Sequence, residues 1–505
     1  MQNAMTRKIP TTMATQHPDN AQAPYWERDG DGFVSTQEEV TECYSAFRDL
    51  GCEEFMWDWE GKHVDEAVID KLFHTYYAYF KKEQLGRDRF LTFRIPNIWH
   101  ERGYSLGRAF MGMLTAERFA RDLKLHSPPL FEVILPLVDK AEHIINIQRT
   151  FTKLALFTQK LFHEHTQLNY LSVLPLLEGV DDLLNCRKLL DRYLKLHFKT
   201  YHRQPHYLRL HIARSDPALN AGLIPAVVAG KLALSEYYRF GRAHNINIYP
   251  AVGVGLLPFR GGLAPQRVDD FLNEYAGVRT VYIQSAFRYD FPLNQVKAAI
   301  TKLNRELPRK QVRLLRPQDA EKIAAICRLL TPIYRHTVES IANEINQIAA
   351  AVPARRERKL HVGLFGYSRQ VGKKRLPRAI PFTAALYSLG VPPEFIGTGR
   401  GLQLLEKNNL KAETYYINMR QDLIRAGRYL NKGNLFTLAK KRKKWQLVWD
   451  DVMLVEKYLG VELGPSSKDE LAHSDLSSNL LNDWRQGRNL SWIITASGKL
   501  RHSLG

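Results

Sequence analysis

Eight short apolar runs, rich in β-branched and aromatic residues and separated by longer stretches of helical period, constrain this 505-residue chain more than any other feature. They are EEFMWDW (53–59), RFLTFRI (89–95), LFEVILPLV (130–138), NYLSVLPLL (169–177), YLRLHIA (207–213), INIYPAVGV (246–254), TVYIQS (280–285) and LHVGLFGY (360–367). Gaps of roughly thirty to forty residues separate the first seven, room for one crossover helix with its loops. Several runs read as buried on both faces, as strands of a parallel sheet are. Eight parallel strands with helices between them close a (β/α)8 barrel of the TIM type, and that is the expected fold; a doubly wound open sheet is the alternative, because periodicity does not require closure. Between Asn294 and Arg358 the apolar spacing turns helical, which predicts an inserted helical hairpin at about 294–358, ahead of the eighth strand. Helical patterns dominate after Leu376, broken by GVELGPSS (460–467), which reads as a loop. The expected organisation is a catalytic barrel over residues 1–380 with a mostly helical region, 381–505, packed on it.

Composition narrows the class. With 45% hydrophobic and 25% charged residues the chain is neither disordered, collagen-like nor disulfide-dense. Four cysteines with no close pair fit a reducing cytoplasm, and no run of eighteen apolar residues predicts a membrane span. The net charge of +20 (72 Lys and Arg against 52 Asp and Glu) admits nucleic acid, an anionic membrane or a multiply anionic small substrate. An RNA-binding protein would show a recognisable module with basic residues among exposed aromatics; none is seen, so this stays a remote alternative and no nucleic-acid partner is expected. Residues 353–378 hold nine Lys or Arg and one acid, and 440–444 read KKRKK, which together supply thirteen of the twenty charges. The first stretch suits an anion site; the second reads as a solvated helix face or a subunit contact.

In such barrels function collects at the C-terminal ends of the strands. The first run ends in Asp58 and Glu60, with Lys62 behind; the second carries Arg94; the fourth ends in Glu178, then Asp181 and Asp182; the fifth delivers Arg214, Ser215 and Asp216. The sixth leads into VGVGLLPFRGG, four glycines and Arg260; the seventh ends with Gln284 and Arg288, the eighth with Tyr367, Ser368 and Arg369. Glu178 and Asp216, at neighbouring strand ends, can share a divalent cation, and oxygen donors suit Mg2+ or Mn2+ better than zinc. Arginines at the same mouth would fork onto carboxylate and phosphate. Against this, Asp181 or Asp182 can simply cap the following helix. The glycine loop permits close approach to an anion and motion as a lid, or is a surface turn. His17, in the polar TQHPDN, can move a proton or hold an anion; a satisfied loop histidine is the plain alternative.

These motifs, in this order, resemble phosphoenolpyruvate carboxylase in its short, archaeal-type form. TQHPDN resembles the Thr-Ala-His-Pro segment of the long enzymes, and PLLEGVDDL their metal-binding glutamate segment, which places that role on Glu178. ARSDPALNAG is similar to the segment of the second metal carboxylate, Asp216; FRGGLAP to the end of the mobile loop, with Arg260, Gly261 and Gly262. RLPRAIPF is similar to a segment whose arginine is Arg378, with Arg369 as the upstream substrate arginine and Arg94 supplied by LTFRIPN. The resemblance implies carboxylation of phosphoenolpyruvate by bicarbonate to oxaloacetate and phosphate, with Mg2+ (Mn2+ as the substitute) on Glu178 and Asp216. His17, Arg94, Arg260, Arg369 and Arg378 are then the catalytic candidates; Arg214, Gln284, Arg288, Gly261 and Gly262 the substrate-binding ones. It also implies a homotetramer and, from GKLRHSLG, a position for Gly505 near the site. Leu219, Val252 and Val254 stand where the long enzymes have a lysine, a histidine and an arginine. Either other basic residues such as Lys62, His211, Arg214 or Arg288 replace these, or the short enzymes manage the intermediate differently, with Val252 and Val254 excluding water. A Mg-dependent carbon–carbon lyase acting on pyruvate-like acids is the alternative enzyme.

Overall fold

The computed structural model describes residues 7–505 except 28, 60–65, 101–103, 164, 358–368 and 372–373; for residues 104 and 369–371 it describes the backbone alone. Eight parallel strands close into a barrel in chain order: β1 (Thr12–Thr15), β2 (Glu54–Asp58), β3 (Phe90–Arg94), β4 (Glu132–Leu135), β5 (Ser172–Leu177), β6 (Tyr207–Ala213), β7 (Asn247–Gly253) and β8 (Thr280–Ile283). Seven of the expected runs are β2 to β8. The strand that closes the ring is not 360–367, which lies outside the described residues, but Thr12–Thr15, paired to β2 and, through Thr12, Met13 and Ala14, to β8. TMAT is too short and too polar to stand out by period; its two neighbours hold it in place.

Because the barrel is complete at Ile283, the predicted insertion at 294–358 is not an insertion. Helices Leu293–Glu306 and Pro317–Ala349 follow the last strand. The second has 33 residues and packs along helix Leu223–His244. A small antiparallel hairpin, β9 (Arg369–Val371) with β10 (Lys374–Leu376), precedes helix Ala379–Ser388 and six further helices. GVELGPSS is a loop, ended by a Ser467–Glu470 capping box that starts helix Lys468–Arg485. KKRKK forms a corner between helices Lys432–Lys441 and Lys443–Leu459, where Arg442 and Lys444 both pair with Glu344 of the long helix. Part of that run is therefore an internal clamp.

The inside of the barrel is layered, alternate strands contributing to alternate layers. At its N-terminal end the even strands supply Glu54, Glu132, Arg209 and Thr280. Arg209 donates to Glu54 at 2.6 Å, Glu132 at 2.8 Å and Thr280 at 3.0 Å, all of them buried. Burial pushes the Glu132 carboxyl up, but the guanidinia of Arg7 and Arg209 outweigh it and hold its pKa at about 2. Two residues further along the same strands stand Met56, Ile134, His211 and Tyr282, with Met13, Leu174 and Ala251 of the odd strands packed among them. Above these the barrel opens.

Candidate active site

One cavity of about 360 Å3 occupies the C-terminal mouth of the barrel. Its floor is His211, Tyr282, Leu176, Ala213 and Gly253; around it stand His17, Arg94, Glu178, Arg214, Asp216, Arg260, Gln284 and Arg378. Eight residues singled out from strand ends and motifs thus meet in one place. Glu178 follows β5 directly, and Asp216 lies in the first turn of the helix after β6, so the barrel itself sets both carboxylates at one mouth. Two carboxylates beside neutral and cationic neighbours form an all-oxygen acidic donor set that fits a hard divalent cation.

The arginines divide by what already holds them. Arg260 is clamped on every side: it donates to Asp19 at 3.0 Å, to Ser215 at 3.2 Å, and to Gln284 and the Gly505 carbonyl. The glycine loop around it is a seated turn, not an open flap. Gly261 and Gly262 give their N–H groups to Pro258 and Leu257, and the Phe259 N–H reaches Glu394 at 2.7 Å. These two glycines therefore offer no amide to an anion in the cavity, and they line a separate pocket of about 10 Å3. Gly261, at φ +123°, makes the turn that brings Arg260 back; a Cβ there would lie 2.5 Å from Val254 Cγ1.

Arg288 is not in the cavity either. Its guanidinium lies buried against Glu42 at 2.8 Å and the Thr15 carbonyl at 2.7 Å, and Arg356 shares the same carboxylate. Burial opposes charge on Glu42, yet Arg356 and Arg288 hold its pKa at about 2, so this is a structural ion cluster. Arg94 stands 3.6 Å from Asp58, and Arg214 donates Nε to Tyr275 at 2.6 Å. Arg214 Nη1 is buried with no hydrogen-bond partner among the described residues, so the group can serve a ligand. Arg378 sits half-buried at the start of helix Ala379–Ser388. The side chain of Arg369, with Glu60, Lys62, Tyr367 and Ser368, lies outside the described residues.

His17 follows β1 and contacts Thr15 Oγ1 through Nδ1 at 2.9 Å. His211, named from sequence only as a substitute base, is the residue of the floor with most to offer a ligand. It is 3% exposed, its ring packs on Tyr282 at 4.2 Å, and neither ring nitrogen has a hydrogen-bond partner among the described residues. Burial, then the charges of Arg94, His17 and Arg209, push its pKa well below the ordinary value, so the imidazole is neutral. Gly253 makes room for it: a Cβ there would stand 2.7 Å from His211 Nε2. Val252 and Val254 do not wall the cavity. They face the outer core with Leu219, because strand alternation turns Gly253 inward. Asp181 and Asp182 lie outside the cavity, in the first turn of helix Val180–Leu184, where they favour the helix start by charge; neither is its N-cap, which is Gly179. Sequence reasoning missed Asp19, whose contacts to Arg260 and the Ala286 N–H join distant segments and leave no local pattern.

A family model described as phosphoenolpyruvate carboxylase matches residues 9–505. A phosphoenolpyruvate carboxylase of Leuconostoc mesenteroides is 40% identical over 504 residues, 99% of this chain and 100% of that protein. One of Oenococcus oeni is 42% identical over 479 residues, 94% of each, and one of Metallosphaera sedula 39% identical over 501 residues, 94% of this chain and 95% of that protein. With such similarity along its whole length, and the motif residues of the short form gathered at one barrel mouth, the chain belongs to the archaeal-type phosphoenolpyruvate carboxylase family.

Proposed function

We propose that the chain carboxylates phosphoenolpyruvate with bicarbonate, giving oxaloacetate and inorganic phosphate. The observation that carries this reading is the convergence of Glu178 and Asp216 with Arg94, Arg214, Arg260 and Arg378 on one cavity. A substrate bearing both a phosphate and a carboxylate matches such a set, because a guanidinium forks onto either group. Glu178 and Asp216 would hold Mg2+, with Mn2+ as a substitute; when bound, the ion supplies positive charge against the substrate's oxygens.

The protein's own groups do the rest. Arg378 and Arg214, with Arg369 from the hairpin, neutralise the phosphoryl group as a bicarbonate oxygen attacks phosphorus. That attack breaks the bond to the enol oxygen and leaves carboxyphosphate and an enolate. Carboxyphosphate then parts into CO2 and phosphate, and the methylene carbon of the enolate attacks CO2 to form the new carbon–carbon bond. His17 takes the bicarbonate proton or hydrogen-bonds the phosphate. The apolar floor of Leu176, Ala213 and Gly253 and the seated Arg260 loop keep water from quenching the enolate.

A coupled assay for oxaloacetate, with phosphate release followed in parallel, tests the reading. Both products should form at equal rates from phosphoenolpyruvate and bicarbonate and vanish when EDTA removes the divalent ion. Phosphate without oxaloacetate, or product formation indifferent to bicarbonate, would sink it. We also propose a cytoplasmic homotetramer that binds no nucleic acid. A mass measurement in solution and a gel shift at physiological salt check these. Among the described residues no helix is long and apolar enough to cross a membrane.

A further inference from the structure

Outside the cavity, one cluster brings together metal-ligating atoms of a different kind. His100 comes from the loop after β3, Asp139 from the loop after β4, and His143 from the first turn of helix Ala141–Phe162. One ligand atom of each lies within 4.8 Å of the others. The two loops are tied together below the cluster. Asn97 donates to the Pro136 carbonyl at 2.7 Å and accepts the Trp99 N–H at 3.1 Å.

His143 carries the inference. Its side chain is 8% exposed, and its Nδ1 is buried and makes no hydrogen bond among the described residues, although Asp139 Oδ1 stands 3.1 Å away. A ring nitrogen and a carboxylate oxygen that close without hydrogen-bond geometry are placed much as two ligands of one ion are: ligands at about 2.0–2.2 Å from a tetrahedral centre lie roughly 3.3–3.6 Å apart. His100 Nε2 is 3.9 Å from the other carboxylate oxygen. Trp99 stacks flat on the His143 ring, 4.0 Å between centroids and 11° between planes, and fixes its direction. His100 and Asp139 are 37% and 40% exposed, which leaves the outer side open to water or a further ligand.

We propose that His100, Asp139 and His143 form a second metal site, separate from the cavity, that takes a borderline transition ion such as Zn2+ or Ni2+ and refuses Mg2+. The chemistry sorts the two sites. Two imidazoles and one carboxylate suit Zn2+ or Ni2+, whereas Mg2+ requires oxygen donors and dehydrates reluctantly.

The test uses the full-length protein, stripped with EDTA and titrated calorimetrically with Zn2+ in excess Mg2+, which occupies the carboxylate pair at the cavity. One Zn2+ per chain is expected. His143→Gln and His100→Ala should each weaken it at least ~10-fold, while Glu178→Gln leaves it unchanged. His100 is exposed, so its variant keeps the fold even if the buried one does not. Cu2+ should quench tryptophan emission in the wild type and much less in Trp99→Phe. Wild-type affinity in both histidine variants, loss of Zn2+ binding in Glu178→Gln, or no saturable Zn2+ binding at all would each overturn the site.

Discussion

Arg260 joins three parts of the chain that are far apart in sequence: the segment after β1 through Asp19, the strand-eight end through Gln284, and Gly505. Lysine at this position keeps the charge beside Asp19 and loses the fork. Arg260→Lys should therefore lower kcat more than it raises KM; a change confined to KM would reduce the residue to a binding role. Glu178→Ala and Asp216→Ala should each cost at least ~10²-fold in kcat, the scale of one lost transition-state stabiliser, and near-normal turnover at saturating Mg2+ would remove both from the site. His211 allows a sharper separation of stability from activity. Its nitrogens bond to nothing described in the protein, so His211→Leu removes no internal hydrogen bond and should leave thermal stability level or higher. Activity should nevertheless fall, and a variant as active as the parent would make His211 a filler of the barrel. What could be foreseen at this scale were the residues at strand ends, because alternation and direction follow from the strands themselves. Asp19 could not, since it lies 241 residues from Arg260 and carries no local pattern, and the glycines beside Arg260 serve to fold the loop back and not to hold a ligand.

The glycine loop is also fastened to the helical region by Glu394, which accepts the Phe259 N–H at 2.7 Å and the Tyr387 hydroxyl at 2.6 Å. Burial raises its pKa from 4.5 to about 7, although both donors pull the other way. A carboxyl raised on folding holds its proton more tightly in the native state. Its contribution is full below about 4.5 and is lost as the pH climbs through about 7. Unfolding free energies from urea titrations should thus fall over that range by more in the wild type than in Glu394→Gln, by up to about 3 kcal/mol. Parallel slopes in the two proteins would show that Glu394 stays charged in the fold. Seven of the barrel strands were legible because each is an apolar run bounded by turn residues. Thr12–Thr15 was not: four residues, two of them threonine, carry no period, and the strand exists through its neighbours. With that strand silent in the sequence, the apparent end of the barrel moves past helices Leu293–Glu306 and Pro317–Ala349, which is why they look inserted.

At the scale of the whole molecule, the barrel rests on an ionic floor and carries its chemistry at the other end. Arg209→Ala would leave Glu54 and Glu132 buried without their shared cation, and should cost about 3–5 kcal/mol in denaturant unfolding. A loss under about 1 kcal/mol would mean that water or a proton replaces the guanidinium. The excess of positive charge is likewise divided: Arg355 and Arg356 border the cavity, while Arg442 and Lys444 brace the long helix. The pairing of β1 with β8 bears on synthesis. Thr12–Thr15 leaves the ribosome long before Thr280–Ile283 exists, so the first strand made must wait, with one edge unpaired, for most of the barrel to be translated. Slowing translation between those two points should lengthen the time during which nascent chains are captured by chaperones, far more than the same pause placed after Ile283.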